Sequence, residues 1–173
     1  MGVRTWIKAA ALLSALTPLG SMTRIFVYGT LKRGQPNHFR MMDAANGKAE
    51  FCGSAQTAEA FPLVIAGKYN IPFLLNVPGT GRRVRGEVYR VDAKMLAFLD
   101  DFENCPSMYQ RTAVRLVAGD WTEPDGPAPG TGLEAFVYST TAYQPDSLKL
   151  PMLENYDAYG SHGLVYALRE SRQ

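Results

Sequence analysis

The chain has 173 residues, 46% of them hydrophobic, with a formal net charge of +2; that length buries one sizeable core and leaves little for a second. Its cations, among them Lys32, Arg33, Arg82, Arg83, Arg111 and Arg115, are interleaved with acids, so no basic stripe marks a nucleic-acid surface and small-molecule chemistry is the expectation. Cys52 and Cys105 form neither a CxxC pair nor a disulfide framework and fit a reducing compartment, and His38 and His162 without clustered ligands argue against a zinc site.

Residues 1–21 stand apart. Arg4 and Lys8 precede the apolar run 9–16, with no acid before Asp43, in the manner of a weak secretory signal or the start of a transit peptide. The run is too short to span a membrane, and Pro18-Leu19-Gly20-Ser21 makes a poor cleavage site. Met22 directly precedes the first strand. The expected organisation is a dispensable or disordered extension over 1–21 and a single domain over 22–173.

The first strand is predicted over 24–28, where Ile25-Phe26-Val27-Tyr28 stops abruptly at Gly29. Two readings of this break stand side by side. It is a strand end followed by an ordinary turn, or it is a cradle in which successive backbone N–H groups around Gly29, Thr30 and Leu31 hold a carboxylate. Lys32 and Arg33 beside it read most simply as solvated charges. A short helix is predicted over 37–45, terminated by Asn46-Gly47. Apolar strands follow over 62–65 and 73–77, joined by a loop over 66–72 in which Ile71-Pro72 is a candidate cis bond.

Residues 84–91 alternate as a half-buried strand, and Asp92 is a suitable N-cap for a helix whose stripe is Met95, Leu96, Phe98, Leu99 and Phe102. Asn104-Cys105-Pro106 ends it. Strands are predicted over 109–117 and 133–139, separated by a Pro/Gly-rich loop over 119–132, and the irregular segment from Leu150 onward suggests a tail that wraps the domain. The sum is an α+β fold: a small mixed β-barrel with a few flanking helices.

Chemistry shows first at the end of that helix, where Asp100, Asp101 and Glu103 surround Phe102. Mutual repulsion and the negative end of the helix dipole both raise carboxylate pKa values. At ~100° per residue, Glu103 lies at the border of the buried stripe while Asp100 and Asp101 fall nearer solvent. Glu103 is therefore the carboxylate expected to sit half-desolvated against the core, where a general base working near neutral pH would be placed, the alternative being a solvated acidic helix end.

Several blocks occur in order: Phe26-Val27-Tyr28-Gly29-Thr30-Leu31-Lys32-Arg33-Gly34-Gln35-Pro36-Asn37-His38, then residues 62–67, Asn70-Ile71-Pro72, Phe98-Leu99-Asp100-Asp101-Phe102-Glu103, Tyr109-Gln110-Arg111-Thr112, and Gly160-Ser161-His162-Gly163-Leu164 in the tail. Together they closely resemble the γ-glutamylamine cyclotransferases of the γ-glutamylcyclotransferase-like superfamily, from Met22 to the end of the chain. The resemblance implies a compact β-barrel with flanking helices. It also implies conversion of γ-glutamyl-ε-lysine, the isopeptide left by digestion of transglutaminase cross-links, to 5-oxoproline and free lysine. In that family the Tyr-Gly-Thr-Leu loop holds the glutamyl group and one glutamate transfers protons, which by motif are residues 28–31 and Glu103.

Such a reaction needs no metal and no cofactor. The substrate's α-amine loses a proton, attacks its own γ-carbonyl, and the departing amine gains one, all within reach of a single carboxylate. Tyr28 and Tyr109 are candidate pocket hydroxyls or plain packing, and the loop at Ile71 is a candidate source of a backbone carbonyl for the substrate amine. A thiol nucleophile built from Cys105 and a histidine is disfavoured, because a helix C-terminus raises a thiol pKa. The expected partner is a small γ-glutamyl molecule, with no nucleic acid or membrane, for a cytosolic monomer. Two alternatives remain: a relative acting on γ-glutamyl amino acids or glutathione, and a non-catalytic γ-glutamyl-binding homologue.

Overall fold

Ile25-Phe26-Val27 is apolar without alternation because both faces of its strand are covered. In the computed structural model, which describes residues 21–173, Phe26 of β1 (Thr23–Val27) joins the barrel interior, while Ile25 and Val27 join a second core on the outer wall. β1 pairs antiparallel with β5 (Arg82–Val91), placing Ile25 opposite Tyr89. β5 pairs with β2 (Ala49–Phe61), β2 with β6 (Gln110–Trp121), and β6 with β7 (Gly132–Ser139), all antiparallel. β7 then closes the barrel by running parallel to β1, with Phe26 opposite Val137. A closed barrel leaves no edge strand to aggregate.

The outer core is roofed by α2 (Ala93–Phe102), whose Met95, Leu99 and Phe102 are buried with Ile25, Val27 and Tyr89. Asp92 caps α2 as its sequence predicts, its Oδ1 accepting the Met95 N–H at 2.8 Å. A Leu99→Ala change there would cost about 2–5 kcal/mol, the range for a buried leucine that leaves a cavity. The hairpin β3 (Leu63–Ala66) and β4 (Ile71–Leu74) forms a separate two-stranded sheet. It is tied to the end of β7 where the Thr140 N–H donates to Leu74 O and Thr140 O accepts from Asn76 N, both at 2.9 Å. Because β7 and β1 run parallel, the hairpin stands at the end of the barrel from which residues 28–31 emerge.

The longest strand, β2, has no counterpart among the sequence predictions. Its residues include Gly53, Ser54, Gln56 and Glu59, poor strand formers, and it forms because partners flank it on both sides. β6 likewise runs on to Trp121, into the segment predicted as loop. The predicted helix over 37–45 is interrupted: α1 covers His38–Met42, Asp43 is extended, and a 3-10 turn follows over Ala44–Asn46. β4 begins at Ile71, earlier than predicted, so the loop before it shrinks to residues 67–70. The cis bond is Cys105–Pro106 rather than Ile71–Pro72. The extension predicted over 1–21 lies, but for Ser21, outside the described residues.

Candidate active site

Past Tyr28 the chain turns through residues 29–36, and its carbonyls are tied backwards. Gly29 O accepts from Lys32 N at 3.2 Å and Thr30 O from Asn37 N at 2.9 Å. Leu31 O lies 3.0 Å from His38 Nδ1, which must carry the proton to donate there. Asn37 Nδ2 also donates to Thr30 Oγ1 at 3.0 Å. The N–H groups of Gly29, Thr30 and Leu31, by contrast, donate to no other described residue. Their carbonyls are engaged and their amides are left for a ligand, the arrangement an anion cradle requires. Gly29 is needed for proximity: a Cβ there would sit 3.0 Å from Pro72 Cγ.

Lys32 is not the solvated charge its sequence suggests. It is buried, and its Nζ donates to Tyr156 O at 2.6 Å and Asn155 Oδ1 at 2.8 Å, clasping the loop to the tail. Burial holds its pKa below the usual lysine value, opposed by the charges of Glu87 and Asp157. Arg33 does remain largely exposed, but its backbone N–H donates to Glu87 Oε1 at 2.8 Å and its guanidinium lies 3.7 Å over the Phe51 ring. The cradle is thus pinned from both sides.

Opposite stands Glu103, the C-cap residue of α2, held there by its own N–H donating to Leu99 O at 2.8 Å. Burial pushes its carboxyl pKa up from 4.5 to about 7, and only the charge of Arg169 opposes the rise. No described residue hydrogen-bonds the carboxyl. The cause is desolvation against the core, as the position of Glu103 at the border of the buried stripe predicts; carboxylate crowding, the other expected source, does not contribute. Asp100, expected near solvent, is engaged: it accepts the Tyr138 hydroxyl at 2.8 Å and is gripped by Arg111 Nε at 3.0 Å and Nη2 at 3.2 Å. Asp101 alone is exposed.

Residues 28–31, Ile71, Tyr109 and Glu103 line one cavity of about 50 Å³. A single water needs only ~10–15 Å³, so a small organic head group is the fitting scale. The two tyrosines contribute rings more than protons. Tyr28 OH donates to Tyr138 O at 2.6 Å and accepts from Leu74 N at 3.3 Å; Tyr109 OH donates to Pro72 O at 3.0 Å. Burial drives both phenol pKa values upward, which removes them as acids near neutral pH. Tyr109 also stacks on Phe73, with ring centroids 5.4 Å apart. The Pro72 carbonyl beside Ile71 is already taken by Tyr109.

Sequence reasoning missed Tyr138, Tyr166, Arg169 and Arg172, which also line the cavity. Tyr138 belongs to a strand whose neighbours alternate, so its facing was open to prediction. Nothing local marks the tail residues. Cys105 has a raised thiol pKa, chiefly through burial and then through Asp100 and Glu103, as expected of an unreactive cysteine at a helix exit. His38 and His162 are bound to backbone groups of Leu31 and of Asp157 and Leu164.

A closed mixed barrel with a cavity lined by free backbone amides and a desolvated carboxyl is suited to an enzyme that binds a small anionic molecule and moves a proton on it. The chain belongs to the family described as gamma-glutamyl cyclotransferase, AIG2-like, whose model matches residues 25–158. It is 57% identical over 151 residues to the rat gamma-glutamylaminecyclotransferase, spanning 87% of this chain and 100% of that protein. To the human gamma-glutamylaminecyclotransferase it is 52% identical over 154 residues, again 87% of this chain and 100% of the other. The crystal structure of a mouse AIG2-like protein superposes with a TM-score of 0.82 at 56% identity, covering 88% of this chain and all (100%) of that one.

Proposed function

We propose that this protein is a γ-glutamylamine cyclotransferase that converts γ-glutamyl-ε-lysine to 5-oxoproline and free lysine, with Glu103 as the proton-transfer group. The observation that carries the reading is Glu103 itself: a carboxyl with a pKa near 7, unpartnered, sharing one small cavity with three unused amides. A general base works best when its pKa lies near the operating pH.

The α-carboxylate of the glutamyl group sits on the N–H groups of residues 29–31. Glu103, ionised, takes a proton from the α-ammonium; the freed amine attacks the γ-carbonyl carbon, forming the ring C–N bond and a tetrahedral oxyanion. As that intermediate collapses, Glu103 returns the proton to the ε-nitrogen and the bond to it breaks; the carboxylate then takes the second proton from the ring nitrogen, leaving the lactam N–H, and passes it to the released amine, which departs as an ammonium. Two protons have moved from the α-nitrogen to the ε-nitrogen, Glu103 ends as it began, and atoms and charge balance without another reactant. Holding both ends of a five-membered ring closure supplies much of the acceleration, since well-aligned intramolecular reactions reach effective molarities of ~10⁵ M or more. Tyr28 and Tyr109, their protons committed to backbone carbonyls, shape the cavity walls.

The test is a panel assay of 5-oxoproline release from γ-glutamyl-ε-lysine, γ-glutamyl-alanine and glutathione. Strong preference for the first supports the reading. Preference for either of the others moves the protein to a different γ-glutamyl donor, and no release from any makes it a binding homologue.

A further inference from the structure

α2 ends with the wrong charges. The last turn of a helix exposes unpaired carbonyls and a partial negative charge, which a nearby cation stabilises and an anion opposes. α2 has no basic residue in its last turn and carries Asp100 and Asp101 there instead. Its base, Glu103, lies one residue beyond. A carboxylate so placed and so desolvated is biased toward its protonated form, and a cation supplied from elsewhere opposes that bias.

The tail supplies it. Arg169, 67 positions further along the chain, donates from Nη2 to the carbonyl of Phe102, the last residue of α2, and its guanidinium carbon lies 4.0 Å over the Phe102 ring. It lines the same cavity as Glu103 and forms no ion pair with any described acid. The adjacent Glu170 is committed elsewhere, to Arg40 of α1. The arginine is held by a built strap: Ala167 N donates to Tyr69 O at 3.0 Å, Asn70 Nδ2 to Val165 O at 2.8 Å, and Asn37 Nδ2 to the Tyr166 hydroxyl at 2.8 Å.

We propose that Arg169 is a positioning residue for the reaction: its guanidinium, bound to the end of α2 and facing Glu103, keeps the desolvated carboxyl ionisable so that it can accept the substrate's proton. The inference rests on the function proposed above. The other groups facing Glu103 do not do this work. Burial raises the phenol pKa values of Tyr28 at the end of β1, Tyr138 on β7 and Tyr109 before β6, and the thiol pKa of Cys105, so none of them supplies a charge. The Tyr166 hydroxyl of the strap accepts from Asn37 Nδ2, and Arg40 of α1, 5.1 Å over the Phe102 ring, is paired with Glu170. Arg172 is the other cation on the cavity wall, but it is drawn toward the strap, donating from Nε to Ala167 O at 3.1 Å and stacking on Tyr69 and Tyr166. Removing the positive charge of Arg169 leaves burial unopposed, so the carboxyl pKa rises and less of the base is ionised at any pH below it.

The experiment measures Glu103 twice in wild type, Arg169→Met, Arg169→Lys and Arg172→Met. A carbon-13 NMR titration of the Glu103 carboxyl in substrate-free protein reads its pKa directly. The pH profile of kcat/KM for γ-glutamyl-ε-lysine reads it in turnover. In Arg169→Met both midpoints should move up by on the order of one pH unit. Arg169→Lys should restore most of the shift and Arg172→Met should produce less of it. Equal losses of kcat/KM at every pH with an unmoved NMR midpoint would reduce Arg169 to a plain structural tie and overturn the proposal. Absence of turnover in wild type would instead defeat the proposed function, and the NMR titration would still decide the role of Arg169.

Discussion

The cradle over residues 28–31 and the end of α2 face one another across a single cavity, yet they are made in different ways. The turn of the cradle is set in its own neighbourhood, through Asn37 and His38 seven positions on, and distant residues, Glu87 and the tail at Asn155 and Tyr156, only anchor it; the surroundings of Glu103 depend on Arg169, 67 positions past Phe102. Hydrogen-bond donors can be aimed by a short stretch of chain, because a turn fixes its own amides. The ionisation of a carboxyl cannot be set that way, because desolvation exists only once distant segments have closed around it.

The sharpest way to break the comparison is at the base. Glu103→Gln should fold normally and lose about 10²–10⁴-fold in kcat, the usual contribution of general acid–base transfer, measured as 5-oxoproline release. Near wild-type turnover would remove Glu103 from the mechanism. Damage to the cradle should be smaller. Gly29→Ala presses a Cβ against Pro72 and displaces the loop from its partner across the cavity, so kcat/KM should fall by roughly 10–100-fold while thermal stability changes little.

Glu103 also makes a prediction about stability. Its folded pKa of about 7 lies above the ordinary 4.5, so the folded protein holds this proton more tightly than the unfolded chain does. The resulting stability is fully present below about pH 4.5 and is lost as pH rises through about 7. Glu103→Gln should therefore be more stable than wild type at pH 8, by on the order of 1–3 kcal/mol in denaturant unfolding, with no such advantage at pH 4. Equal stability at both values would mean that the carboxyl is well hydrated. The same ionisation should give the wild-type kcat/KM profile an acid limb centred near pH 7, since the base must start unprotonated.

Tyr28→Phe tests the wall between the two regions. It strands the Tyr138 carbonyl and the Leu74 N–H, so it should lower stability by about 1–3 kcal/mol while kcat at a permissive temperature stays close to wild type. A collapse of kcat with stability intact would make that hydroxyl a participant in the chemistry. The smallest effect belongs to Asp101→Asn. This exposed side chain should be worth less than about 0.5 kcal/mol and leave the pH profile in place, in contrast to Glu103 two positions away.

Residues 24–28, the α2 stripe with its Asp92 cap, and the break at Gly29 were all legible in the chain, because each is set by local spacing or by the chemistry of one turn. β2 was not: in Ala49–Phe61 the strand formers Phe51, Thr57 and Phe61 are scattered among Gly, Ser, Gln, Glu and Ala, and pairing with β5 and β6 on either side holds it extended. Lys32 was misread for a related reason. A lysine beside a loop is ordinarily solvated, and only the return of the tail at Asn155 and Tyr156 buries this one. Crowding of Asp100 against Glu103 was the wrong source for the raised pKa, since Arg111 and Tyr138 draw Asp100 away.

By itself the sequence determined the two chemical parts, a run of amides freed by a glycine turn and a carboxylate at the border of a buried helix face. Both follow from interactions between residues a few positions apart. Tertiary structure decided what those parts could do: it closed the barrel by setting β7 parallel to β1, brought the cradle to the end of α2, withdrew Glu103 from water and set Arg169 beside it. Burial and charge proximity are properties of the assembled fold, and they are what lift the pKa of an acidic residue toward neutral pH.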